Sequence, residues 1–371
     1  MVIFPSEKIK RIVISSYLPN KKFNVALTYN VKPEEKNFSD TKPLSLNPNS
    51  AENFNDTYAE WDTMETINSI KDALELFHNV HMVEANEEAF EKFKKINPDI
   101  VFNFAECANG ASREAQIPAM LDMLRIPYTG SDPLTLTTCL DKARTKEVLS
   151  YYNIPTPKFL YVESLNDLNN FALDFPLMIK PIAEGSSKGI FNSSFVNNFD
   201  ELTQRLTANF AAYKQPFLVE EFLPGREFTV AIMGNGIETE VLPIIEINLH
   251  ELPKELVPIY SYEAKWVVDT RDNPLNIFSC PADLDKDLKA KITDVALRTY
   301  KVLRCRDWSR IDIRLDKNGE PNVIEINPVP GVLPDPSDNS CFPKAARAHG
   351  LSYEEMINKV LLIAAKRHNL I

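Results

Sequence analysis

The sequence predicts an α/β protein that begins with a βαβ unit on a parallel sheet and continues as α+β. Two observations predict the first part. From Trp61 to Phe77 the apolar residues Met64, Ile67, Ile70, Leu74 and Phe77 recur every three or four positions, the period of an amphipathic helix. "HMVEA" and "DIVFNF" then read as short buried strands on either side of a second helix at 86–96, and this alternation is the pattern of a parallel sheet. A third observation predicts the rest. Beyond the turn-rich "MLRIPYTGSDP", apolar runs are interrupted at Pro224-Gly225 and Asn318-Gly319, where strands end and reverse.

The elements follow in order. Residues 30–57 are rich in Asn, Pro, Ser and charge without periodicity, and read as a long loop or disordered insertion. After a boundary near Ser131 come a helix carrying "LDKARTKEVLSYY", a strand "PKFLYV", a helix around "LNDLNNFAL" and a strand "PLMIKP" that runs into "IAEGSSKG". "PFLVEEFL" stops at Pro224-Gly225 and resumes as "REFTVAIM". "VLPIIEI", a long connection containing "YSYEAKW", and a helix at 284–303 lead to a hairpin. The last helix starts at a capping box, Ser352 to Glu355. The expected divisions are 1–131, 132–222 and 223–371, with no internal repeat.

Composition narrows the function. A net charge of -11 and a pI near 5.1 argue against nucleic acid or an anionic membrane as a general partner. The five cysteines form no C-x-x-C pair, which favours a reducing cytoplasmic setting over a zinc site or disulfide framework. The first twenty residues lack the apolar core of a signal peptide, and no run approaches the length of a membrane span. The five histidines lie outside every motif, so Ser/His/Asp hydrolysis is not expected.

The hairpin "IDIRLDKNGEPNVIEINPVPG", 311–331, raises a chemical question. A two-residue Asn318-Gly319 loop would set Lys317 against Glu320, Asp312 against Glu325 and Arg310 against Asn327, with Ile311, Ile313, Ile324 and Ile326 facing a core. Like charges directly opposite one another destabilise a sheet. Two carboxylates and an amide oxygen are hard ligands suited to Mg2+, which would reverse the sign of that interaction. The alternative is a solvated face on which Arg310 and Arg314 neutralise the acids.

Other residues point to an anion. Lys180 ends an apolar strand, and the following E-G-S-S-K-G, with Glu184, Ser186 and Ser187, can offer N–H groups and hydroxyls to phosphates. A lysine placed like Lys142 in "DKARTK" is more often a surface helix residue than a ligand. Glu220 and Glu221 close a strand, where a ribose could use a carboxylate and an adenine the free main chain of a hinge; Glu227 is a second acid for that role.

"DKARTK", "MIKPIAEGSSKG", "FLVEEFLPGREFTVAIMG", "YSYEAKW", "WSRIDIRLDKNGEPNVIEINPVPG" and "CFPKAARAHG" occur in this order, and the ordered set resembles the D-alanine--D-alanine ligase family of ATP-grasp enzymes. The likeness runs from about residue 57 onward and is weakest before residue 100. It implies the ATP-grasp fold: a preATP-grasp βαβ domain followed by two α+β subdomains that clasp ATP. By position, Lys142 and Lys180 resemble the lysines on the ATP phosphates, Glu220 and Glu227 the acids near the nucleotide, and Glu221, Phe222 and Leu223 the adenine hinge. Lys265 resembles a phosphate-contacting lysine in a mobile loop. Asp312, Glu325 and Asn327 resemble ligands for two Mg2+ ions, with Mn2+ as an alternative. Arg310 resembles the arginine on the transferring phosphoryl group, Gly331 a glycine facing the tetrahedral intermediate, Ser186 a loop serine near the substrates and Ser340 the serine on the second substrate's carboxylate.

The resemblance also shows departures. Trp266 stands where the ligases usually carry a tyrosine, and an indole cannot accept a hydrogen bond. The glycine-rich N-terminal substrate motif is not intact, and Glu60 or Glu65 stands in for its glutamate. "VLPDPSDN" lengthens the stretch before Ser340. The expected activity is therefore ATP-dependent ligation of small amino acids through an acyl phosphate, with a remodelled substrate. A D-alanine--D-alanine ligase of cell-wall synthesis, a depsipeptide-forming variant using a 2-hydroxy acid, and a catalytically silent nucleotide-binding protein are the competing readings. A homodimer is expected from the resemblance alone.

Overall fold

The computed structural model describes residues 21–33, 58–269 and 274–371. The N-terminal stretch and residues 34–57 of the expected insertion lie outside them. In the first unit, strands Asn24–Tyr29 (β1), Asn79–Glu84 (β2) and Ile100–Asn103 (β3) form a parallel sheet of order β2-β1-β3. Alternate residues of β1 enter two different cores. Val25 and Leu27 pack with Ile67, Ile70 and Leu74 of the helix Met64–Glu75, and Ala26 packs with Phe93, Ile117 and Leu121. A parallel sheet must be covered on both faces, and here it is.

The second unit is an antiparallel sheet of order β4-β7-β5-β6, from Phe159–Val162 (β4), Leu177–Pro181 (β5), Phe195–Val196 (β6) and Phe217–Glu221 (β7), backed by the helix Phe199–Tyr213. The helix expected around "LNDLNNFAL" is only a 3-10 turn, Leu165–Asn170. The Asp167 carboxylate caps it by accepting the N–H groups of Glu163 and Ser164, and Phe171 then leaves in extended conformation to pack on Phe175 and Phe199. That burial outweighs the weak helix propensity of an Asn-rich segment.

The third unit centres on Glu227–Met233 (β8), flanked by Ile245–Ile247 (β9) and the hairpin Trp308–Leu315 (β10) and Pro321–Asn327 (β11). The helix Lys286–Val302 covers one face, where Cys139, Leu149 and Ile154 join the same core. The final helix, Tyr353–Arg367, opens with the expected capping box and packs across the first unit.

The hairpin differs from expectation in two compensating ways. Its loop has three residues, Lys317 to Gly319, because the Asp316 carboxylate accepts the N–H groups of Asn318 and Glu320 and Gly319 takes the left-handed conformation (φ +79°). Arg314 consequently faces Asn322 and Ile313 faces Val323, one residue out of the expected register. A bulge between Asp312 and Ile313 then restores it, leaving Asp312 opposite Glu325 and Arg310 opposite Asn327. The bulge also moves Ile324 from the core to the cavity face, while Val323 fills the core.

Asp307, fully buried, joins the first unit to the third. It accepts the Gly130 N–H (2.8 Å), Asn235 Nδ2 (2.7 Å) and Arg367 Nη2 (2.7 Å), while Arg367 also donates to the Tyr128 carbonyl (2.8 Å). Removing one partner of such a pair strands a buried charge. Asp307→Ala is expected to destabilise the chain by about 3–5 kcal/mol, seen as a lower urea midpoint. A midpoint within about 1 kcal/mol of wild type would show that the staple is dispensable.

Candidate active site

Where the three units meet, their side chains enclose an open cavity of about 350 Å3. Its walls carry Lys142, Lys180, Glu184, Ser186, Ser187, Glu220, Glu221, Phe222, Leu223, Glu227, Lys265, Trp266, Arg310, Asp312, Glu325, Asn327, Gly331, Ser340 and Glu60. Glu65 is exposed on the helix Met64–Glu75, away from these walls.

The acidic pair is met by cations from two sources. Arg310, two residues before Asp312 and hence on the same strand face, donates from Nε and Nη2 to both its oxygens (3.0 and 2.8 Å), and Asn327 Nδ2 lies 3.3 Å from one of them. Lys142 Nζ is 2.9 Å from Glu325. Arg314 does not share in this neutralisation; it pairs with Glu227 (3.0 Å) and stacks on the Phe222 ring. Lys142 is aimed by its helix, Lys142–Tyr151, whose N-cap Asp141 accepts the N–H groups of Ala143 and Arg144.

One turn later the same helix presents Lys146, which sequence reading missed although the i, i+4 spacing from Lys142 could have exposed it. Lys146 and Lys180 grip the two oxygens of Glu220 at 2.7 and 2.5 Å. Burial raises the Glu220 pKa, but the two ammonium groups outweigh it and hold the carboxyl down at about 2. Burial pushes the Lys265 ammonium down to about 8, with Arg310 adding repulsion.

The loop after β5 is an anion cradle in shape. Ser186 and Ser187 both have positive φ (50° and 61°), a left-handed pair that costs about 1–2 kcal/mol per residue outside glycine. Their N–H groups make no hydrogen bond among the described residues. The facing segment closes over them: Ser187 Oγ donates to the Tyr260 carbonyl (3.0 Å), and Trp266 Nε1 donates to the Ser186 carbonyl (3.1 Å). The indole therefore makes this cross-link as a donor.

At the opposite end, Ser340 Oγ accepts the Leu333 N–H (3.1 Å) and donates to the Gly331 carbonyl (3.2 Å). Asn339 Nδ2 bonds both oxygens of Asp269 (2.8 and 2.9 Å), which also accepts the Tyr260 hydroxyl (2.6 Å). The first unit adds a wall that sequence reading missed, with Asp62, Glu106 and Glu114 near Glu60. Burial raises all three pKa values, to about 6 for Asp62 and about 7 for Glu114, and the Glu60 charge adds to the rise at Glu106 and Glu114. Glu60 itself is gripped by Arg113 (2.5 and 2.7 Å). No periodicity marks these loop residues, so only the fold brings them together.

Among the described residues, no three His, Cys, Asp or Glu side chains converge tightly enough to hold a metal by themselves. Two carboxylates and one amide on one face form an open oxygen set that phosphate and water would have to complete, which suits Mg2+ better than a metal needing a closed protein cage.

Comparison with known proteins agrees with this arrangement. A family model described as the D-ala D-ala ligase C-terminus matches residues 148–362. An uncharacterized protein of Sinorhizobium fredii is 36% identical over 273 residues, 72% of this chain and 75% of that protein. The D-alanine--D-alanine ligase of Moorella thermoacetica is 34% identical over 298 residues, 78% of this chain and 89% of the other. Among solved structures, the Bacillus anthracis D-alanine--D-alanine ligase complexed with ATP superposes with a TM-score of 0.68 at 22% identity, covering 94% of this chain and 99% of that one. The VanG D-Ala:D-Ser ligase of Enterococcus faecalis superposes at 0.64 with 20% identity, covering 93% and 100%. These structural likenesses establish the ATP-grasp fold.

Lys265 sets a pH dependence. With its pKa lowered to about 8, the ammonium is present at neutral pH and is lost as pH rises through that value. Calorimetric titration with pyrophosphate should show affinity falling between about pH 7 and 9, and less steeply in Lys265→Arg, whose guanidinium stays charged. Identical slopes in both proteins would remove Lys265 from the anion site.

Proposed function

The chain belongs to the D-alanine--D-alanine ligase family, and we propose that it is an ATP-dependent carboxylate-amine ligase that joins two small amino acids through an acyl phosphate. The observation that carries this reading is the Asp312/Glu325 pair, set opposite in register beside Arg310 and Lys142 and sharing a cavity with the unpaired N–H groups of the Ser186 loop. That arrangement can hold a triphosphate with its terminal phosphorus near an acceptor carboxylate.

Each group then has a role. Lys142, Lys180 and Lys265 neutralise phosphate charge, aided by the N–H groups of Ser186 and Ser187; Glu227 meets the ribose, and the main chain of Glu221 to Leu223 meets the adenine. The donor carboxylate oxygen attacks the terminal phosphorus and ADP leaves. The acceptor amine then attacks the acyl carbon, loses its proton, and phosphate departs. Arg310 stabilises the charge that builds on the transferring group, since preorganised cations supply most of the catalysis in such transfers. The Gly331 N–H faces the tetrahedral carbon, and Ser340 can turn its hydroxyl toward the acceptor's carboxylate. Asp312, Glu325 and Asn327 would hold Mg2+, two ions by family likeness or Mn2+ in their place, which when bound supplies further neutralisation of the phosphates.

The divisions proposed are 1–131, 132–222 and 223–371, with the nucleotide between the second and third. The acidic wall of Asp62, Glu106 and Glu114 suits the ammonium of an amino-acid donor and disfavours a donor without one. A 2-hydroxy acid would then enter only as acceptor, giving an ester. The described residues include no helix long and apolar enough to cross a membrane, and all five cysteines are free, which fits a cytoplasmic enzyme.

The test is ADP formation with Mg2+ across pairs of D- and L-amino acids and 2-hydroxy acids, with mass detection of products. A peptide or ester that depends on both substrates is expected, and Asp312→Asn should lower its rate at least about a hundredfold without altering thermal unfolding. Nucleotide binding without ADP formation in any mixture would favour the silent protein, and undiminished turnover in Asp312→Asn would overturn the role given to that pair.

A further inference from the structure

Why should two consecutive serines hold a left-handed backbone? The flanking residues 183–185 are tied down from both sides. Lys142 Nζ donates to the Glu184 carbonyl, and the Glu184 carboxylate is held by Lys188 (2.9 Å) and Gln215 (2.8 Å). These ties come from the second unit and the helix leading into it. The others come from the first unit. Arg113 Nη1 donates to the Ala183 carbonyl (2.7 Å), and its Nη2 meets both Glu60 oxygens. Glu60 in turn accepts the Gly185 N–H.

We infer that Arg113 and Glu60 form a strut by which the first unit fixes the strained loop, making Arg113 a positioning residue for nucleotide binding. Both side chains are almost wholly buried, 7% and 8% exposed. A guanidinium presents donors in a rigid fork, so one side chain can span a carboxylate and a carbonyl that no lysine could hold together. Glu60 approaches Gly185 so closely that a Cβ there would lie 2.9 Å from Glu60 Oε1 and push the carboxylate aside. With Gly185 fixed by its N–H, the next two N–H groups bond nothing among the described residues and belong to serines that line the cavity. Positive φ at Ser186 and Ser187 persists only where the surroundings over-determine it. Glu60, occupied by two Arg113 contacts and one N–H, acts through this strut.

The inference rests on the reading of the cavity as a nucleotide site, and the experiment separates the two. Calorimetric titration of the full chain with MgADP should give a Kd raised about tenfold or more in Arg113→Ala, as expected for losing charge-assisted hydrogen bonds to two partners, with Arg113→Lys in between. Gly185→Ala, which displaces Glu60 without touching the core of the first unit, should raise Kd similarly. The double variant should be no worse than the poorer single one, because both act on one strut. Amide exchange should quicken over 184–190 in both variants and stay unchanged over 177–181. Unaltered Kd and exchange in folded Arg113→Ala and Gly185→Ala would overturn the strut. Failure of the wild-type chain to bind MgADP would overturn the nucleotide reading instead, and loop exchange alone would then decide the strut.

Discussion

Two carboxylates facing each other across a pair of adjacent strands are the constraint around which the rest is arranged. Asp312 and Glu325 repel wherever water does not screen them, and a sheet gives them no freedom to move apart. The fold answers with a cation for each, one from the same strand and one from a helix in a different layer. Lys142 reaches Glu325 only because Asp141 caps the helix at that point, and the helix is placed there because Leu149 packs into the core of the third unit. An electrostatic demand at the centre is thus met by hydrophobic packing about one helix length away. The arrangement is open by construction, since Arg310 and Lys142 can turn to an anion as soon as a second source of positive charge relieves the carboxylates.

Such a site works only if three separately folded sheets keep a fixed relation. Burial alone does not fix it, because apolar contact has little direction. The buried Asp307 fixes the first unit to the third, by taking donors from the end of the first unit, from Asn235 after β8 and from the final helix. The last helix, packing on Met64–Glu75, makes the C-terminus part of the first unit's core. The orientation of Glu60 and Arg113 toward the Ser186 loop follows from that docking.

The sequence carried the third unit and the polar row of Arg310, Asp312, Glu325 and Asn327 almost in full, because β-strand alternation and an Asn-Gly turn leave a local signature. Two errors in the hairpin cancelled: Asp316 adds a residue to the turn by bonding Asn318 and Glu320, and the bulge takes it back, so Asp312 met Glu325 while Ile324 changed faces. Neither is visible in an apolar pattern, since the bulge answers to packing of Val323 in a core assembled from distant segments. The 3-10 turn at 165–170 was lost to a similar cause, the burial of Phe171. Least legible was the wall built of Asp62, Glu106, Arg113 and Glu114. These residues sit in loops and in the short 3-10 turn Arg113–Ala115, where no period reports which side chains face inward, and the Arg113 bonds to Glu60 and Ala183 span 53 and 70 positions.

The cavity wall of the first unit brings buried acids near cations of the other units. Lys265 and Lys32 stand close enough to Asp62, and Lys142 to Glu114, to oppose the rise that burial imposes on each carboxyl. Burial has already raised the carboxyls of Asp62 and Glu114 into the range where they share protons with water near neutral pH. On the proposed reading, a donor amino acid would bring its ammonium beside these acids. The arriving cation would restore full ionisation to those acids, so binding strengthens the attraction that drew it. Attraction and discrimination then share one cause: a donor without an ammonium would forgo that ion pairing, and the acids beside it would stay partly protonated.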